Sequence, residues 1–136
     1  MKYDLIYVDT SVLLAQLLSE DIHPPTEFWD HPLVSSRLIE YETWTRVHAL
    51  NVEKSHGVSA RTLLGRISML ELTPLVLSRA LEPFPTPLRT LDALHLASLS
   101  YLHSQKIRVA FAAYDQKLIY AAGMLRFGLA DGFSNG

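Results

Sequence analysis

The chain has 136 residues, 49% of them hydrophobic and 19% charged, with a formal net charge of −2 and six histidines but no cysteine. That length and apolar content suit one domain, residues 1–136, with a sizeable core, and no run approaches the ~20 apolar residues of a membrane span. The slight acidity excludes a polycationic nucleic-acid binder, so any phosphate contact has to come from a local patch or a bound metal. Without cysteine there are no disulfides or thiolate metal sites. Asp4 and Asp9, in the opening stretch, suit no signal peptide, and the expectation is a cytoplasmic protein.

Residues 4–8, "DLIYV", read as a buried first strand ending at Asp9. "TSVLLAQLLSE" follows, with Thr10 or Ser11 placed to cap a helix over 11–19. "HPP" at 23–25 breaks the chain and starts a short helix through Glu27 and Trp29. "PLVSS", 32–36, is a second strand, and Ser35 or Ser36 can cap a long helix to about residue 51. A helix is expected over 58–67, a third strand in "SMLELTP", and a short helix over 75–81. The Pro-rich loop "EPFPTP" then delivers "TPLRTLDALHLASLSYL", residues 86–102, as a helix. "IRVAFAAY", 107–114, is the clearest strand, followed by a helix over 115–123 with Gly123 as its C-cap. "RFGLA" reads as a last strand and "DGFSNG" as a loose end. Strands alternating with helices, with no repeat or linker, argue for an α/β domain around a mainly parallel sheet.

The helix over 86–102 poses a question. Leu88, Leu91, His95, Leu99 and Leu102 share one stripe, and Asp92 falls inside it. A carboxylate facing a core is costly unless it is paired, hydrogen-bonded or bound to a cation. Taken alone, Asp92 reads as a structural aspartate satisfied by a nearby hydroxyl or amide. In an open α/β sheet, however, sites form at the carboxyl ends of the strands. Asp9 and Asp115 both sit at such ends, and Glu40 and Glu42 lie early in the helix after "PLVSS". Asp9 and Asp115 could each merely cap a helix, and the two glutamates could simply be solvated. Glu40 and Glu42 lie about 200° apart on a helix, so one face cannot present both. Four acids converging from four elements have no use in packing, since clustered anions repel unless protons or cations neutralise them. Oxygen ligands without cysteine select Mg²⁺ or Mn²⁺, the usual equipment for phosphodiester hydrolysis.

"YVDTSVLL", "LVSSRLIEYETWTR", "LRTLDALHLASL" and "AAYDQKL" resemble the four acidic motifs of the PIN-domain family, most closely its VapC-type ribonuclease toxins. The resemblance covers residues 7 to about 131, with "LRTLDALHLA" its most specific part. It implies a three-layer α/β/α sandwich and a metal-dependent endoribonuclease. The family's acids carry over onto Asp9, Glu42, Asp92 and Asp115. Glu42 is preferred, with Glu40 as the alternative, because the family's acid usually follows the strand-end serine by six positions, as Glu42 follows Ser36, and Arg46 matches the usual basic residue one turn later. Asp9, Asp92 and Asp115 would hold Mg²⁺ or Mn²⁺, with Glu42 completing the ring and orienting the attacking water. The resemblance further implies RNA as substrate, neutralisation by a VapB-type antitoxin whose tail occludes the cleft, and a homodimer. One departure stands out: Ala113 replaces the hydroxyl residue the family often carries two positions before its last aspartate.

Thr10, Ser11 and Thr90 are candidates to orient the carboxylates, and His95 reads as packing and bonding locally rather than ligating metal. Asp131 is a marginal candidate for the site. Arg37, Arg46, Arg61, Arg66 and Arg89 could touch RNA phosphates, but no aromatic platform for reading bases is visible. A catalytically idle PIN-like module for binding RNA or protein is the alternative, kept open by Ala113. A phosphoacceptor receiver domain is rejected, because the late strand ends in Asp115 and no lysine follows a strand at the matching place.

Overall fold

The computed structural model describes residues 3–133. The strands are β1 (Leu5–Val8), β2 (Leu33–Ser36), β3 (Ile67–Leu70) and β4 (Val109–Ala112). All pair in parallel, in the order β3-β2-β1-β4. The helices are α1 (Thr10–Leu17), α2 (Leu38–Ala49), α3 (Glu53–Leu64), α4 (Pro74–Ala80), α5 (Thr90–Ser104) and α6 (Gln116–Met124), with a 3₁₀ turn at Thr26–Asp30.

Alternation along the central strand divides the core in two. Ile6 and Val8 point to one face, where they meet Val12, Leu13 and Leu17 of α1, Ile39 and Val47 of α2, and Ala60 and Leu64 of α3. Tyr7 points to the other, among Leu96, Leu99 and Leu102 of α5 and Leu118, Ile119 and Ala122 of α6. Helix α4 packs against α5. The result is the expected three-layer α/β/α sandwich, held by burial worth roughly 1.5–3 kcal/mol per large apolar side chain.

Several local expectations shift. Asp9 caps α1, rather than Thr10 or Ser11. Neither Ser35 nor Ser36 is the cap of α2, which is Arg37 without a side-chain cap bond, although Ser36 Oγ accepts the N–H of Leu38 at 3.1 Å. Helix α3 starts five residues earlier than the sequence pattern suggested, at Glu53. Gly123 lies inside α6 and does not end it. The left-handed position belongs to Arg126 (φ 64°), closed by bonds from Phe127 N–H to Ala122 O at 3.0 Å and from Arg126 N–H to Gly123 O at 2.9 Å. Nor is "RFGLA" a strand. Only Leu129 bridges to Phe111, its flanking residues bonding along the outer edge of β4. Covering that edge leaves fewer unpaired backbone groups on it.

Candidate active site

The topology places the site. β1 and β4 are neighbours whose chains leave in opposite directions, β1 into α1 on one face and β4 into α6 on the other. A crevice opens where adjacent strands part in this way. Asp9 and Asp115 occupy the two exits. Asp9 accepts the N–H of Ser11 at 3.1 Å as the cap of α1, and Asp115 accepts the N–H of Leu118 at 3.2 Å as the cap of α6. Helix α2 brings Glu42 and Arg46 to the same cleft, and α5 brings Asp92 in its first turn. The cleft is about 480 Å³ and also bears Tyr41, Thr45 and Leu91.

All four expected acids therefore line one cleft. Glu40 does not: it lies exposed beside Arg37, around the helix from Glu42. Asp131 borders a separate cavity with Tyr3, Phe28 and His31. Of the arginines, Arg37 pairs with Glu71, Arg66 with Asp30, and Arg61 lies over the Trp44 ring. Arg46 lines the cleft without an ion pair among the described residues. Arg89 is exposed at the start of α5.

The acids differ in how they are held. Asp9 is buried, and its Oδ2 takes the Ser11 hydroxyl at 2.6 Å as well as the backbone N–H. Burial nevertheless pushes its carboxyl above the ordinary range, against the pull of His95 and the Ser11 bonds, and Glu42 adds repulsion. Glu42 Oε1 accepts Thr10 Oγ1 at 2.8 Å and lies 2.7 Å from His95 Nε2. Asp92 is half-buried and makes no hydrogen bond or ion pair among the described residues. Its carboxyl is also raised, by partial burial first and then by the charges of Asp115 and Asp9. The satisfied structural aspartate of the simplest reading would need a partner that Asp92 lacks. The stripe it sits on differs too: Leu91 is 37% exposed at the cleft, and the buried face of α5 begins at His95.

His95 does not bond locally. Only 1% exposed, it reaches Tyr7 on β1, Thr10 on α1 and Glu42 on α2. Burial pulls its pKa down, but the Glu42 bond and the charges of Asp9, Glu42 and Asp92 outweigh it, and the net direction is up. Thr10 and Ser11 orient carboxylates as expected, whereas Thr90 makes no such bond. Sequence reasoning passed over Tyr7. The available signal was a tyrosine in an otherwise apolar buried strand, whose hydroxyl needs a partner.

Among the described residues no three acidic or histidine side chains stand close enough for a ready coordination sphere. The donor chemistry still fits a hard divalent ion. Mg²⁺ keeps several waters and takes only one or two carboxylates directly, and here three aspartates face one crevice with two of them held above their ordinary pKa. Asp9, Asp92 and Asp115 are the residues that could hold it.

A parallel sheet of this order, with acids at the parting of β1 and β4, defines an α/β protein with an acidic strand-end cleft. Residues 6–122 match the model of the PIN domain, and the chain belongs to that family. Over 122 residues it is 32% identical to Ribonuclease VapC47 of Mycobacterium tuberculosis (strain CDC 1551 / Oshkosh), covering 85% of this chain and 88% of the relative. No solved structure gives a significant match.

Proposed function

We propose that this protein is a divalent-metal-dependent endoribonuclease of the VapC toxin type. The observation that carries the reading is Asp92, a carboxylate without a partner among the described residues, facing a cleft that already contains Asp9 and Asp115. A cation is the group that makes such a placement stable. When bound, Mg²⁺ or Mn²⁺ supplies Lewis-acid activation of water and neutralises charge developing at phosphorus. Asp9, Asp92 and Asp115 hold it, while Glu42 orients the attacking water and draws off its proton. Arg46, exposed at the cleft and without an ion pair among the described residues, binds an RNA phosphate. The kinship with a ribonuclease supports the choice of RNA.

The same reading makes the chain a cytoplasmic homodimer restrained by a VapB-type antitoxin whose cationic tail enters the acidic cleft. Cleavage of RNA by the wild type and by Asp92→Asn, purified identically, tests the proposal. Mg²⁺-dependent cutting by the wild type alone is expected. Equal cutting by both proteins, or cutting that survives EDTA, overturns it. Size-exclusion chromatography and co-expression with the antitoxin test the assembly: a monomer, or full activity in a stoichiometric complex, removes that part.

A further inference from the structure

The buried network behind Glu42 has a direction that hydrogen-bond chemistry fixes. Thr10 Oγ1 has one proton, and it goes to Glu42 Oε1 at 2.8 Å. His95 Nε2 lies 2.7 Å from the same oxygen and 3.3 Å from Thr10 Oγ1. A bare ring nitrogen so close to a carboxylate would set lone pair against lone pair, so Nε2 carries the proton and donates it. At the far side of the ring, Nδ1 lies 2.8 Å from the Tyr7 hydroxyl. That hydroxyl accepts the backbone N–H of Ser36 at 3.1 Å, which leaves its own proton free for Nδ1. The chain of donors runs from Ser36 through Tyr7 and His95 to Glu42, linking the ends of β1 and β2 to α5 and α2.

Both bonds to Glu42 end on Oε1, the oxygen that faces the buried groups. Oε2 has no partner among the described residues, and the side chain is 20% exposed on the cleft. The geometry points to His95 as a positioning residue: with Thr10 it clamps Oε1 of Glu42, so that Oε2 is the oxygen offered to the attacking water. This rests on the role of Glu42 proposed above. A side chain with several rotamers becomes a fixed acceptor, and the ring also fixes which of its two oxygens works. His95 touches neither substrate nor metal in this scheme. The T-shaped packing of Tyr7 on the ring, with centroids 5.8 Å apart, holds the imidazole plane in line.

The test uses the full chain with Mg²⁺ and one RNA substrate, comparing His95→Leu, His95→Gln, Glu42→Gln and the double variant H95L/E42Q. His95→Leu is expected to lower kcat by about 10- to 100-fold with KM nearly unchanged, the usual scale for losing a partner one shell out. His95→Gln, whose amide can donate where Nε2–H stood, is expected to recover about tenfold of that loss. The double variant is expected to be no slower than Glu42→Gln alone, since a clamp has nothing left to hold. Nitrogen-15 NMR of the metal-free protein gives a readout independent of activity: a protonated Nε2 on His95, with a resonance that moves in Glu42→Gln. It also serves if His95→Leu does not fold. Full additivity in the double variant, no recovery with Gln, or an unprotonated Nε2 overturns the inference. If Glu42→Gln is dead while a folded His95→Leu cuts like the wild type, the clamp fails and the nuclease reading stands. If the wild type cuts no RNA, the nuclease reading itself fails, taking the role of Glu42 with it.

Discussion

The hydroxyl of Ser11 donates to Asp9 Oδ2 at 2.6 Å while accepting the backbone N–H of Tyr114 at 3.0 Å, so the carboxylate ending β1 is tied to the chain leaving β4. Ser11 thus sets the spacing of the two exits between which the cleft opens. Asp9 itself serves two purposes, as cap for α1 and as one wall of the acidic crevice, and Asp115 does the same for α6. Capping needs an oxygen acceptor; holding a cation needs charge. The two needs can be separated by substitution.

Asn caps helices about as well as Asp, whereas Ala costs typically ~1 kcal/mol. Asp115→Asn is therefore expected to keep the melting temperature of the metal-free protein while losing cleavage. Asp115→Ala should lose cleavage and stability together. Thermal melts of the two variants, set beside RNA cleavage, decide it. A destabilised Asp115→Asn protein would mean that the charge, rather than the cap, holds the start of α6.

Stability without metal should depend on pH in a defined direction. The carboxyls of Asp92 and Asp9 are raised above their ordinary value of 3.8, so the folded state holds their protons more tightly than the unfolded chain does. Their contribution is fully present below that ordinary value and is lost as pH rises through the folded values. His95 is also raised, from 6.5, and its contribution is likewise present below 6.5 and lost above. All three push the same way: the aspartates' loss begins as pH rises above 3.8, and His95 carries the trend above 6.5, so metal-free protein should melt lower at pH 8 than at pH 6. Asp92→Asn should remove the part of the decline that begins above pH 3.8 and be at least as stable as the wild type near neutrality. A marked loss of stability in metal-free Asp92→Asn would return Asp92 to a structural role.

Arg46 gives a prediction about binding rather than chemistry. Removing one phosphate contact weakens affinity and lowers the slope of log K against log salt by roughly 0.7 for single strands. Arg46→Ala is expected to raise KM for RNA, reduce the salt dependence of binding by about that amount, and leave kcat largely intact. Fluorescence anisotropy with labelled RNA across a salt series measures it. An unchanged slope would mean that Arg46 faces solvent in the complex.

Much of this was legible in the sequence, for reasons particular residues make clear. The apolar runs ending at Asp9 and before Asp115 marked buried parallel strands, and the acids at their ends marked the crevice. Gly123 misled because a glycine near a helix end usually takes the left-handed position, while here the backbone closes at Arg126. Leu91 misled because periodicity assigns a face without saying where the neighbouring layer stops; α5 overhangs the cleft at its first turn. The bonds of His95 were out of reach for another reason. Its partners Tyr7 and Glu42 lie 88 and 53 residues away in the chain, and only the stacking of the layers brings them together.

Cation binding itself can be read without any RNA. A ligand that binds only the folded state stabilises it by mass action, about 2.7 kcal/mol at a hundredfold excess over Kd. Mg²⁺ or Mn²⁺ entering between Asp9, Asp92 and Asp115 would also offset the burial that raises the carboxyls of Asp92 and Asp9, and the charges of Asp115 and Asp9 that raise Asp92 further. The melting temperature of the wild type should therefore climb with Mg²⁺ or Mn²⁺, and the decline of stability as pH rises above 3.8 should shrink. Asp92→Asn should respond much less, since one charge of the set is gone while the volume is nearly kept. A His95→Gln protein, with all three aspartates intact, should respond as the wild type does. Differential scanning calorimetry over a Mg²⁺ titration makes the comparison. If Asp92→Asn gains as much as the wild type, the ion binds elsewhere, and Asp92 is not one of its ligands.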